Sequence, residues 1–105
     1  MTEAEILAEA VARIRAQFAP LQIILFGSRA RGDAQPESDF DLMVIREDGG
    51  TWRTPGDILT ALAGLPADFD VLVESAADWD KWRQVGPAFE HRVAREGRQL
   101  LGSGG

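Results

Sequence analysis

Apolar residues recur at helical spacing over the first eighteen positions, with Ile6, Leu7, Ala10, Val11, Ile14 and Phe18 on one face. Thr2 followed by Glu5 is a capping-box pair ahead of that stripe. Pro20 cannot continue a helix, so an amphipathic helix is predicted to end before it. The pattern then changes. Leu21 to Phe26 is an apolar run interrupted only by Gln22, which reads as a buried strand, and Gly27-Ser28 breaks it. Arg29 to Glu37 is polar, punctuated by Gly32 and Pro36. Strand character returns from Phe40 to Arg46, and Glu47 to Arg53, with Gly49-Gly50, reads as a loop.

Thr54-Pro55 has the form of a helix start, with Thr54 as cap and Pro55 at the first helical position. That helix carries Ile58, Leu59 and Leu62 and ends at Gly64 to Pro66. Ala67 to Glu74 reads as a third strand. Ser75 and Asp78 can cap a helix carrying Trp79, Trp82 and Val85, and Gly86-Pro87 separates it from a final helix with Phe89, Val93 and Leu100. The order predicts a small α/β (α+β) domain, a mixed sheet flanked by helices, over residues 1–101, with 102–105 as a flexible tail.

Composition narrows the function classes. At 105 residues, 45% hydrophobic and 27% charged, the chain suits one domain, so a separate substrate-binding domain is expected on another chain. No cysteine is present, which excludes disulfides and thiolate metal sites. The longest apolar stretch is too short to span a bilayer, and the acidic start lacks the basic and apolar regions of a signal peptide. A cytoplasmic location is therefore expected. The net charge of −6, with Lys81 the single lysine, disfavours direct binding to a nucleic-acid backbone. A nucleotide ligand stays open, because metal ions bridge carboxylates to phosphates.

Three features carry chemistry. Gly27-Ser28-Arg29-Ala30-Arg31-Gly32 follows the first strand directly, Ser38-Asp39-Phe40-Asp41-Leu42 opens the second, and Asp70 interrupts the apolar third. Nucleotidyl transfer asks a protein mainly for positioning and for neutralisation of phosphate charge. Glycine at a strand end lets backbone approach phosphate, Ser28 can donate its hydroxyl, and a helix starting nearby would add N–H groups. Gly27, Ser28 and Arg29 are thus candidate nucleotide-binding residues. Asp39 and Asp41, two apart on a strand, leave the same face with Cα atoms roughly 6.5–7 Å apart. Asp70 would complete a metal site with them, since an unpaired acid in an apolar strand is costly. It could also assist deprotonation of an acceptor.

Asp68 competes with Asp70 for that place, but it sits nearer the loop, where a solvated strand start accounts for it. Arg29 is a phosphate contact or a surface residue in equal measure. Arg31 is the weaker of the two and an ion-pair partner for Asp33 or Glu37. Ser38 is expected to orient the loop. His91, with no second ligand, reads as a solvated residue, and Trp79 and Trp82 as core in preference to partner anchors.

The pairing of GSRARG with SDFDL, and of both with DVLV, resembles the DNA polymerase β nucleotidyltransferase superfamily. The short length is similar to its minimal nucleotidyltransferases (MNT), the antitoxins of HEPN–MNT toxin–antitoxin modules. Phe89 to Gly97, ending in a Glu-Gly pair, resembles the family's last helix. The resemblance implies a palm-like nucleotidyltransferase fold, Mg2+ and ATP, with Asp39, Asp41 and Asp70 as metal ligands and catalytic acids. It also implies a HEPN toxin partner, a ribonuclease whose tyrosine hydroxyl accepts AMP. Two other readings remain: a nucleotidyltransferase acting on a small molecule or RNA, and an antitoxin that neutralises its toxin by binding alone.

Overall fold

The computed structural model describes residues 1–102, so the expected tail lies outside the described residues from Ser103 on. Helix α1 (Glu3–Phe18) begins with the capping box intact: the Thr2 hydroxyl accepts the Glu5 N–H, and the Glu5 carboxylate accepts that of Thr2. It ends at Ala19, which takes a left-handed conformation just before Pro20. Strand β1 (Gln22–Phe26) follows, then a single helical turn α2 (Ser28–Arg31) and strand β2 (Phe40–Arg46). Helix α3 (Thr54–Ala61) leads to β3 (Phe69–Ser75). Two short helices, α4 (Ala76–Trp82) and α5 (Phe89–Glu96), precede the last strand, β4 (Arg98–Leu101).

The sheet runs β3-β2-β1-β4. β1 is antiparallel to β2, with Gln22 opposite Ile45 and Phe26 opposite Asp41, and antiparallel to β4 on its other side. β2 and β3 are parallel. A parallel pair needs a crossover, and α3 provides it. Central β2 is covered on both faces, which accounts for its nearly continuous apolar sequence. One face, with Ile23, Leu25, Leu42 and Val44, packs against Ile6, Ala10 and Ile14 of α1 and Ile58 of α3. The other, with Ile24, Met43 and Ile45, packs against Trp79 of α4 and Val93 of α5. Trp79 is core as expected, whereas Trp82 is 39% exposed.

Four expectations need correction. The closing helix does not reach Leu100; it stops at Glu96, and Arg98–Leu101 forms β4. A seven-residue interval from Val93 to Leu100 imitates helical spacing, but Gly97 lies so close to Ile24 and to the Leu25 carbonyl that only glycine fits there. The chain therefore turns onto the open edge of β1. The stretch after Gly27, read as a polar loop, begins with the helical turn α2. Thr54 does not cap α3 but is buried as its first residue, its hydroxyl accepting the Thr51 N–H at 2.9 Å. His91 is not simply solvated: its Nδ1 donates to the Arg83 carbonyl at 2.9 Å and ties α5 to the end of α4.

One polar pairing between sheet and helix carries a pH signature. Glu74 projects from β3 towards Glu90 of α5 and Asp78 of α4, and its Oε1 is buried without a hydrogen-bond partner among the described residues. Burial, followed by the hydrogen bond to Glu90 and the negative charges of Glu90 and Asp78, pushes the Glu74 carboxyl from 4.5 up to about 8. Above pH 4.5 the unfolded chain releases a proton that the folded chain retains. Stability is therefore greatest below that value and declines as pH rises towards 8. Glu74→Gln is expected to raise the thermal midpoint above wild type at pH 8, with the gain shrinking to nothing near pH 4, as calorimetry at the two pH values would show.

Candidate active site

The site begins where β1 runs out. Gly27 takes φ +74° and ψ −157°, a conformation that residues with a side chain avoid. A Cβ there would also run into the Asp41 carboxylate. Backbone and acid are thus in direct apposition. The Gly27 carbonyl accepts the N–H groups of Ala30 and Arg31, each at 3.1 Å, which folds the chain into α2 with Ser28 as its first residue.

Strand pairing brings the acids together. Asp41 lies opposite Phe26 on one side and beside Asp70 on the other, so it occupies the middle of the sheet's leading edge. Neighbouring strands are about 4.8 Å apart, and the Asp41 and Asp70 side chains leave the same face in register. Asp39, two residues before Asp41, projects to that face as well. Asp68 does not join them; its carbonyl accepts the Phe40 N–H at 2.9 Å and it lines a groove on the α1 side.

Electrostatics record this convergence. The Asp41 carboxyl is pushed above the usual aspartate value, first by burial, then by the charges of Asp70 and Asp39 and a hydrogen bond with Asp70; Arg31 opposes the shift. Among the described residues no three acidic or histidine side chains close into a preformed metal cage. Magnesium does not require one, because it takes one or two carboxylates and fills its octahedron with water and phosphate oxygens. Half-buried Asp41, flanked by exposed Asp39 and Asp70, offers hard oxygen donors of that kind. The residues fit a magnesium ion that arrives with a phosphate ligand.

The two arginines are held differently, and Arg31 makes the expected ion pair, its Nε donating to Asp33 Oδ2 at 3.4 Å. Arg29 turns away from the acids: Nε and Nη2 donate to the Ser38 carbonyl at 3.2 and 2.8 Å, Nη2 also reaches the Pro36 carbonyl, and the guanidinium lies 4.3 Å above the Phe40 ring. Together with the Ser38 hydroxyl, which accepts the Gln35 N–H at 2.9 Å, it braces the loop that delivers Asp39. Arg31 stays near enough to Asp41 for its charge to oppose the rise of that carboxyl. Residues two apart on a single helical turn point in nearly opposite directions, so only one of the pair can look at the acids, and spacing alone does not say which. Phe26 also belongs to the site through its pairing with Asp41. Its signal in the sequence was strand alternation, since it shares a face with Ile24.

A family model described as polymerase beta, nucleotidyltransferase, matches residues 9–103. No curated protein matches the sequence. Among solved structures, a toxin–antitoxin with AMP-PNP is similar at 24% identity and TM-score 0.68, over 92% of this chain and 73% of that one. A mutant of the toxin–antitoxin MntA-HpeT gives 24% identity and TM-score 0.63, over 98% and 74%. A tri-AMPylated Shewanella oneidensis HEPN toxin in complex with MNT antitoxin gives 20% and 0.63, over 97% and 74%. At these identities the likeness establishes the fold.

Two outcomes follow from the geometry. Gly27→Ala combines a disfavoured backbone conformation, costing about 1–3 kcal/mol, with displacement of Asp41. Denaturant unfolding is expected to show a loss of at least that size. Asp70→Asn removes the neighbouring charge, so the Asp41 carboxyl should titrate at lower pH than in wild type, as carboxyl NMR shifts would reveal.

Proposed function

The chain belongs to the polymerase β nucleotidyltransferase family, and from that premise we propose that it transfers AMP from ATP to a tyrosine hydroxyl of a HEPN toxin, acting as its antitoxin. The observation that carries the reaction is the register of Asp41 beside Asp70, with Asp39 on the same face and Gly27 against Asp41. Specific support for AMP and for the partner comes from the folds it resembles, which include a toxin–antitoxin with AMP-PNP and an AMPylated HEPN toxin with its MNT antitoxin.

In this reading the Gly27 backbone and the Ser28 hydroxyl receive the triphosphate, and Arg31 offers a guanidinium to it. Arg29 acts at one remove, as a positioning residue for the loop carrying Asp39. Asp39, Asp41 and Asp70 hold magnesium, which when bound supplies Lewis-acid neutralisation of charge on the phosphate and acceptor oxygens. The acceptor oxygen forms a bond to the α-phosphorus as the bond from that phosphorus to its bridging oxygen breaks. Pyrophosphate departs with the bonding pair, and the hydroxyl proton passes to Asp70 and then to water. The balance is ATP plus protein hydroxyl giving AMP-protein, pyrophosphate and a proton.

Incubation with magnesium, α-labelled ATP and a HEPN toxin is expected to label the toxin. Asp39→Asn or Asp41→Asn should slow labelling about a thousandfold, the equivalent of the several kcal/mol a metal ion contributes. A toxin that stays unlabelled, or equal rates in the variants, would overturn the reading.

A further inference from the structure

Beside Gly27, on the side away from Asp70, lies a cavity of about 150 Å³. Phe26, Phe89 and Val93 form its apolar walls, with Arg31 and Arg92 among the polar groups around it. Phe26 and Phe89 meet edge to face, ring centroids 5.5 Å apart at 83°. Phe89 nevertheless leaves 46% of its surface exposed, although Val93 on the same helix is buried. An aromatic ring left uncovered at the mouth of a cavity is a stacking platform, because every heteroaromatic base presents a π-face.

Position in the sheet decides what the platform meets. Along the order β3-β2-β1, Asp70, Asp41 and Phe26 stand in a row. The acceptor belongs at the Asp70 end. The phosphate loop belongs at the Phe26 end, since Gly27 follows Phe26 directly and lines the same cavity. Gly27, which lines it, lies directly against the Asp41 carboxylate, so the cavity adjoins the acid cluster.

We propose that this cavity is the nucleobase subsite of the donor nucleotide and that Phe89 stacks on the base. The proposal rests on the nucleotidyl-transfer reading and adds the residue that separates a nucleoside triphosphate from bare phosphate. A side chain in this role adds affinity only for ligands that carry a base. Inorganic tripolyphosphate, which meets the same loop and the same acids, gains nothing from it.

The test is calorimetric titration of the full chain with ATP and with tripolyphosphate, both with magnesium, in wild type, Phe89→Ala and Phe89→Leu. Leucine retains apolar packing on Phe26 but lacks a ring face, and thermal unfolding verifies that each variant is folded. The expected result is about a tenfold weaker affinity for ATP in both variants, in line with loss of one base–aromatic stack, and unchanged affinity for tripolyphosphate. ATP affinity unchanged in the variants overturns the subsite and leaves the transfer reading standing. Equal weakening of both ligands also overturns it, because Phe89 would then serve the phosphate loop. Binding of neither ligand to wild type overturns the subsite together with the transfer reading.

Discussion

Two negative charges held side by side set the terms for the rest of this molecule. Asp41 and Asp70 are neighbours because β2 and β3 run parallel in a register that matches one to the other. That register sets two carboxylates against each other, and the charge of Asp70 adds to burial in raising the Asp41 carboxyl. The remainder of the fold holds the strands in place against it. β2 is buried on both faces, α3 completes the crossover, and Leu42 and Val71 pack in one core immediately behind the acids. On the acid face itself Met43 and Ile45 continue the strand into a second core with Trp79 and Val93.

Much of this was legible in the sequence because the strongest local signals coincide with the site. The capping box, the apolar runs of β1 and β2 and the Asp-x-Asp spacing each have a short-range physical cause, and each fell where expected. Asp70 could be separated from Asp68 by the apolar residues that follow it, and it is Asp70 that stands in register beside Asp41. What escaped was decided by tertiary contact. β4 is four residues long, half of it polar, and is a strand because Gly97 permits close approach to β1. The division of labour between Arg29 and Arg31 depends on which side of one helical turn meets the Ser38 carbonyl. Phe89 gave no signal beyond apolar periodicity, and in the fold it meets Phe26 only by an edge, which leaves it half exposed.

The acidic balance of the chain also takes on a local meaning. Three of its acids converge at the leading edge of the sheet, and another group, Glu74, Glu90 and Asp78, gathers where β3 meets α4 and α5. The first lies open and is suited to exchange its repulsion for a cation. The second buries one oxygen of Glu74 and resolves its repulsion by keeping a proton on that carboxyl. Similar carboxyl chemistry gives a cluster of neighbouring charges in one place and a carboxyl that keeps its proton in the other.

The loop from Glu47 to Arg53 leaves the sheet at the far end of β2, six residues on from Asp41, or about 20 Å from it. It carries Trp52, 83% exposed, and paired glycines in left-handed conformations. Such a hairpin of chain answers to few of the constraints that fix the leading edge. Lengthening, shortening or recolouring it would alter what the domain shows to its surroundings while the chemistry at the opposite rim stays as it is. Evolution can therefore vary that end independently of the reaction.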